Sequence, residues 1–315
     1  MTTFAMSSYS VREHLGPVEF SIIDADGGSR TFSFPYERLT TLREFPERAK
    51  AAFGVDAIET VAFQFTGGLA DPELDAFAAA LTTSGVRLLN VALDAGDLLD
   101  PDDGTRAADV AELKRWIERF SAMGAQFVRV NSGSPFSPHA GGTTPPDFLV
   151  ADLAELGDFA AAHGSRLLVE NHGGASSAPE WMRGLLDAVG VARLGLLLDL
   201  GNFDALLDAA GALAFPAPGV AALDPVVVLE GADLSSVYTG IELLAPRAEL
   251  VHVKAHHVDD AGMVRAIDVG RAIGILRAAG YAGPLTIEYE GDGGDPWVKS
   301  ARVLEATREA VAAAA

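Results

Sequence analysis

The sequence predicts an α/β protein built as a closed (β/α)8 barrel, with an N-terminal hairpin and an insertion after the sixth barrel strand. Three observations lead there. Short β-rich runs alternate with amphipathic helical stretches almost from end to end, and most of the helical stretches close on glycine. At 315 residues the chain is also long for one ordinary domain but suits one large barrel with extra loops. The whole length, 1–315, reads as that one domain. An open, doubly wound sheet is the competing architecture; no glycine-rich dinucleotide fingerprint follows any strand, which counts against it.

In chain order, FAMSSYSV (4–11) is the first barrel strand and the helix at 40–53 its partner. Between them, 17–36 reads as a hairpin turning at Asp26-Gly27-Gly28. AIETVAFQF (57–65) is the second strand, followed by the helix DPELDAFAAALTTSG; VRLLNVAL (86–93) leads to a helix near 105–123. QFVRVNSG (126–133) precedes a helix over about 146–164, RLLVENHGG (166–174) one near 179–190, and RLGLLLDLGN (193–202) one near 203–212. ELVHVKAHH (249–257) and PLTIEYEG (284–291) are the last two strands, with helices near 268–280 and 296–313. Residues 211–232 break the rhythm: apolar and proline-punctuated, they read as a packed insertion rather than a lid or an oligomer contact.

Composition narrows the chemistry. The chain has no cysteine, so any metal must be held by His, Asp, Glu or Asn. The net charge is −21, from 23 basic and 44 acidic residues, with no basic cluster to follow a phosphate backbone, so no nucleic acid is expected as a ligand. No basic-plus-apolar leader and no apolar run of membrane length is present, so the expectation is a cytoplasmic protein with no membrane association, a homo-oligomer being left open.

In such a barrel the active site lies at the C-terminal ends of the strands. The fifth strand ends in Glu170, Asn171 and His172, and the sixth places Asp199 after an apolar run with Asn202 just beyond. Period two puts His252, Lys254 and His256 on one face of the seventh strand, and Glu288 and Glu290 on one face of the eighth. Buried carboxylates repel one another and are costly unless paired or bound to a cation. Converging Glu170, Asp199, His252 and Glu288 are therefore read as the ligands of one divalent metal ion, Mn²⁺ or Mg²⁺ before Zn²⁺. Taken singly, each has a plainer explanation: His252 as a satisfied core histidine, Glu290 as a loop carboxylate. Asn131, closing VRVNSG, reads equally as a substrate contact or a turn former. Arg12 and His14 are assigned to an ordinary loop, and Trp181 and Trp297 to packing.

LLVENHGG, LLLDLGN, LVHVKAHH and LTIEYEG, in that order, resemble the sugar phosphate isomerase/epimerase superfamily, the xylose-isomerase-like TIM barrels. The resemblance implies a metal-dependent isomerase or epimerase acting on a keto-sugar, a cyclitol or an oxidised glycoside, by proton transfer through a cis-enediolate. It also implies Mn²⁺ as the first choice of metal, with Co²⁺ also possible. Glu170 and Glu288 would then both bind metal and move protons, with His172, Asn131, Lys254, His256 and Asn202 meeting the substrate. A lyase that eliminates water or an aglycone shares the first step and is the alternative; a non-catalytic sugar-binding subunit is the third reading. Two positions depart from the ketose epimerases of that group: Asn202 stands where they often have histidine, and Ser176 where they carry a further glutamate.

Overall fold

The computed structural model describes residues 2–23, 29–134, 142–214 and 223–314. Strand β1 (Phe4–Ser7) is followed by a 3-10 segment, Ser8–His14, and by the hairpin β2 (Val18–Ile23) and β3 (Ser29–Phe34), antiparallel with Val18 opposite Phe34. The turn expected at Asp26-Gly27-Gly28 lies outside the described residues. Helix α1 (Phe45–Phe53) then leads into β4 (Ala57–Val61), α2 (Glu73–Ser84), β5 (Arg87–Leu93), α3 (Asp103–Ala122), β6 (Phe127–Val130) and α4 (Asp147–Ala162). The second half runs β7 (Arg166–Glu170), α5 (Pro179–Val189), β8 (Gly195–Asp199), α6 (Asp204–Ala214), α7 (Pro225–Glu230), α8 (Ser235–Leu244), β9 (Ala248–Ala255), α9 (Val269–Ala278), β10 (Leu285–Tyr289) and α10 (Pro296–Ala313).

The barrel closes in the order β1-β10-β9-β8-β7-β6-β5-β4, every pair parallel, with β1 bonded to both β10 and β4. Helix starts carry the expected acceptors: Asp102 caps α3 through Thr105 N–H, Asp268 caps α9 through Arg271 N–H, and Asp295 caps α10 through Trp297 N–H.

Two apolar layers hold the barrel. The larger lies between strands and helices, where Val169, Leu196, Leu198, Val251, Val253 and Ile287 meet helix residues such as Leu153, Leu185 and Ile273. The smaller contains strand residues only (Ala5, Ala57, Leu89, Phe127, Leu168, Leu197 and Leu250) and fills the barrel interior. Two residues further along the same strands stand Ser7, Glu59, Arg129, Glu170, Asp199 and His252. Alternation puts these on the inner face too, one layer nearer the C-terminal mouth. An apolar plug therefore forms the floor of a polar chamber.

Several boundaries differ from the sequence reading. The strand expected over 57–65 stops at Val61, where a 3-10 turn, Ala62–Gln64, takes over. Within 211–232, α6 runs to Ala214 and α7 forms a short helix capped by Asp224, while 215–222 lie outside the described residues. Helix α8 was not anticipated. Val237, Thr239, Ile241 and Gly240 dilute its helical signal, yet Gly240 is required by packing: a Cβ there would lie 2.5 Å from Phe203 and 2.9 Å from Pro179. Trp181 is buried, and Trp297 stacks on Phe53 with its ring centroid 5.4 Å away; both pack as expected.

Candidate metal centre

The C-terminal ends of β7, β8, β9 and β10 bring Glu170, Asp199, His252 and Glu288 together, all of them buried. One ligand atom each from Glu170, Asp199 and His252 lies within 4.8 Å of the others. The Nδ1 of His252 is 3.6 Å from Asp199 Oδ2, 3.9 Å from Glu170 Oε1 and 3.3 Å from Glu288 Oε2. Ligand atoms about 2.1 Å from one octahedral ion stand about 3.0 Å apart when adjacent and about 4.2 Å when opposite. All three separations fall inside that window. Both His252 Nδ1 and Asp199 Oδ2 are buried without a well-aligned hydrogen bond, so they remain available to a ligand. The residues present therefore fit a divalent ion.

The loop after each strand fixes these groups. The Asn171 side chain donates to Asp199 O and accepts from Asp199 N–H, each at 2.8 Å, so it clamps β8 to the end of β7 rather than facing outward. Gly201 N–H donates to Asp199 Oδ1 at 2.7 Å, which turns Oδ2 toward His252. A Cβ at Gly201 would lie 2.7 Å from Lys254 Cγ, so the glycine makes room for the lysine stem. Asn202 bridges the cluster, donating to Glu170 Oε1 at 3.1 Å and accepting from Lys254 Nζ at 3.0 Å. Ser7 donates to Glu288 Oε1 at 3.1 Å.

Lys254 is the internal counter-ion. Its Nζ lies 3.1 Å from both Asp199 Oδ2 and Glu288 Oε2 and 3.0 Å from Glu290 Oε1. Glu290 is thus part of the charge network rather than a free loop carboxylate. Burial opposes ionisation of Asp199 and Glu288, but the nearby ammonium and imidazole outweigh it and hold both carboxyls below the usual range. Glu170 sits on the other side, where burial wins over Arg129 and His252 and its pKa is pushed up to about 8. Without a metal, the cluster therefore keeps a proton on Glu170. Burial works against the charged forms of His252 and Lys254 as well. The carboxylates reverse this, raising both well above their ordinary values.

The remaining expected residues line the same chamber in different ways. Asn131 is turned onto its neighbours, donating to Asp94 Oδ1 and accepting from Arg129 Nη1, both at 2.8 Å. His172 is half-buried, and burial together with Arg129 lowers its pKa, keeping the ring neutral. His256 donates from Nε2 to Gly201 O at 3.1 Å. Ser176 accepts from His172 N–H and donates to Gly173 O, so the loop uses it internally. Arg12 donates to the carbonyls of Tyr289 and Glu290 and ties the loop after β1 to the end of β10.

Three charges escaped the sequence reading, Arg129 and Glu59 buried and Asp94 half-buried. Arg129, on β6, places Nε 2.7 Å from Glu170 Oε2 and bonds Asp94 through Nη1. Asp94 follows β5 directly; burial raises its pKa, and Arg129 more than offsets this. Glu59, on β4, accepts from His252 Nε2 at 2.8 Å. A signal that could have found Arg129 and Glu59 is a charged side chain inside an otherwise apolar strand, where alternation places it on the face of the barrel interior.

The family described as xylose isomerase-like TIM barrel matches residues 46–307. Among solved structures, D-psicose 3-epimerase from Clostridium cellulolyticum H10, in a complex with D-tagatose, superposes with a TM-score of 0.65 at 12% identity, covering 98% of this chain and 99% of that one. A xylose isomerase-like TIM barrel protein from Mycobacterium smegmatis, in complex with magnesium, gives 0.57 at 17% identity, covering 98% and 97%. The 3-keto-D-glucoside 4-epimerase of E. coli gives 0.58 at 14% identity, covering 85% and 94%. No curated protein matches the sequence significantly.

Proposed function

The chain belongs to the xylose isomerase-like TIM barrel family, and from that premise we propose that it is a divalent-metal-dependent isomerase or epimerase of an uncharged keto-sugar, cyclitol or oxidised glycoside. The observation that carries the proposal is the convergence of Glu170, Asp199 and His252 on one point, with Glu288 against the same imidazole. Structural relatives that are sugar epimerases support the class of reaction.

When bound, the cation would polarise the carbonyl and adjacent hydroxyl of the substrate and so make the intervening C–H more acidic. The chain's own residues do the rest. β7 and β10 are three places apart on the eight-stranded ring, so Glu170 and Glu288 approach the axis from nearly opposite sides. One carboxylate can take the proton from the carbon beside the carbonyl, and the other can return a proton from the other face. Lys254 and Asn202, which already bond to these carboxylates, hold them in place beside the substrate oxygens. Lys254, Arg129 and Arg12 are each engaged with carboxylates or carbonyls, which suits a neutral substrate better than a phosphorylated one.

The test is solvent exchange. With Mn²⁺ present, a panel of keto-sugars should yield an isomer of equal mass in ordinary buffer, and in deuterated buffer the same isomer with deuterium in place of the hydrogen beside the carbonyl. Glu170→Gln and Glu288→Gln should remain folded and lower that exchange by about 10²–10⁴-fold. Retained exchange in both variants would refute the assignment. Loss of water or an aglycone would identify the lyase alternative, and saturable binding without deuterium uptake the non-catalytic one.

A further inference from the structure

Beside the candidate metal centre lies a carboxylate that the proton-transfer scheme does not use. Glu59 is 2% exposed and sits on the inner face of β4. All the partners that fix it are buried. Its Oε2 accepts from Asn90 Nδ2 at 2.8 Å and lies 2.8 Å from His252 Nε2, and its Oε1 accepts from Thr286 Oγ1. The register slips by one residue between β4 and β5 at Ile58/Glu59, pairing Glu59 with Asn90. That slip lets Leu89 join the apolar plug while Asn90 reaches the carboxylate. Thr286 and His252 are themselves paired across β10 and β9.

We propose that Glu59 is a positioning residue for the metal centre: it holds the His252 ring by Nε2–H and so aims Nδ1, the nitrogen that ligates once a cation displaces its proton, at Glu170, Asp199 and Glu288. The proposal rests on the metal-dependent reading above. A carboxylate accepts only, so Nε2, bonded to Glu59 alone, keeps its proton, whereas the carboxylates around Nδ1 are the ones a cation would share, and Nδ1 is the nitrogen that gives up its proton to ligate. Such outer partners of a ligating histidine fix its tautomer and orientation, and losing one typically costs about 10–100-fold in metal affinity. With Asn90 and Thr286 holding both of its oxygens, Glu59 cannot turn away to follow the ring.

Glu59→Gln and Glu59→Leu are compared with the unaltered protein by calorimetric titration of Mn²⁺, by thermal melting without metal, and by ¹⁵N spectra of histidine-labelled protein loaded with diamagnetic Zn²⁺. In the unaltered protein His252 should show a protonated Nε2 and a metal-bound Nδ1. Glu59→Leu should weaken Mn²⁺ binding about 10–100-fold, and Glu59→Gln by less, since a glutamine carbonyl can still accept from Nε2–H. A merely structural role would lower the melting temperature and leave affinity unmoved in whatever variant folds, which would overturn the proposal. So would ¹⁵N spectra of the unaltered protein showing Nε2 as the ligand, a result that needs no variant to fold. Failure of the unaltered protein to bind any divalent ion would instead remove the metal-dependent reading itself.

Discussion

Titrating Mn²⁺ into the protein at pH 6 and at pH 8 should give affinities that differ by about a hundredfold or more. Glu170 in the metal-free site has a pKa pushed up to about 8 by burial, so at pH 6 it is a neutral acid. A cation needs it as a carboxylate, and each pH unit below the pKa costs about a factor of ten in apparent affinity for that one proton. Two units give the hundredfold. His252, held well above its ordinary range by the facing carboxylates, must also clear Nδ1, so between one and two protons should leave on binding. The sign for stability follows from the same groups. Glu170 and His252 have raised values, so their contributions to the metal-free fold are complete below their unfolded pKa values. Those contributions are lost as pH rises, for Glu170 between its ordinary 4.5 and about 8. Asp199 and Glu288 have lowered values and withdraw their contributions only in acid. The metal-free protein should therefore melt progressively lower from pH 5 to pH 8, while Mn²⁺ raises the melting temperature most at pH 8. Calorimetry in two buffers of different ionisation enthalpy counts the protons released. An affinity independent of pH, with no protons released from folded protein, would refute the reasoning.

Other substitutions read out the counter-ions and the turn. Lys254→Met removes the ammonium from Asp199, Glu288 and Glu290; the metal-free protein should lose about 3–5 kcal/mol at pH 8, and saturating Mn²⁺ should recover much of it, as checked by chemical denaturation with and without metal. Arg129→Leu strips the charge that restrains Glu170, so the pH at which cation binding sets in should move above 8 in the same titrations. Gly201→Ala would press a methyl group to within 2.7 Å of Lys254 Cγ and 2.9 Å of its Cβ. Displacing the lysine should cost about 1–3 kcal/mol by urea denaturation; an unchanged midpoint would show that the stem can give way.

The barrel was legible because its strands alternate with amphipathic helices, and the ends of β7 to β10 because they carry charge straight after apolar runs. Glu170, Asp199, His252, Lys254 and Glu288 all stand out against Leu, Val and Ile neighbours. Glu59 and Arg129 obey the same alternation but sit in mid-strand among short or β-branched residues, AIETV and FVRV, rather than at the strand ends where catalytic groups are sought. What the sequence could not display is pairing across the barrel. Arg129 meets Glu170 over 41 positions, from residue 129 to residue 170, and Glu59 meets His252 over 193. Such partners are fixed by closure and register rather than by local spacing. Asn131 and Asn171 show the converse: both amides close strands at the mouth, yet each spends its hydrogen bonds on neighbouring protein groups because the strand ends crowd together there. The reach of α8 through Gly240 into Phe203 is likewise a matter of close approach, which periodicity does not carry.

Metal content by elemental mass spectrometry tests the central claim most directly, on protein purified without chelator and again after equilibration with Mn²⁺ and removal of the excess. One divalent ion per chain, lost in Asp199→Ala and in His252→Ala while both variants stay folded, is the expected result. Folded protein that holds no divalent ion in either preparation would contradict it, and the proton-transfer assignment of Glu170 and Glu288 would fall with it.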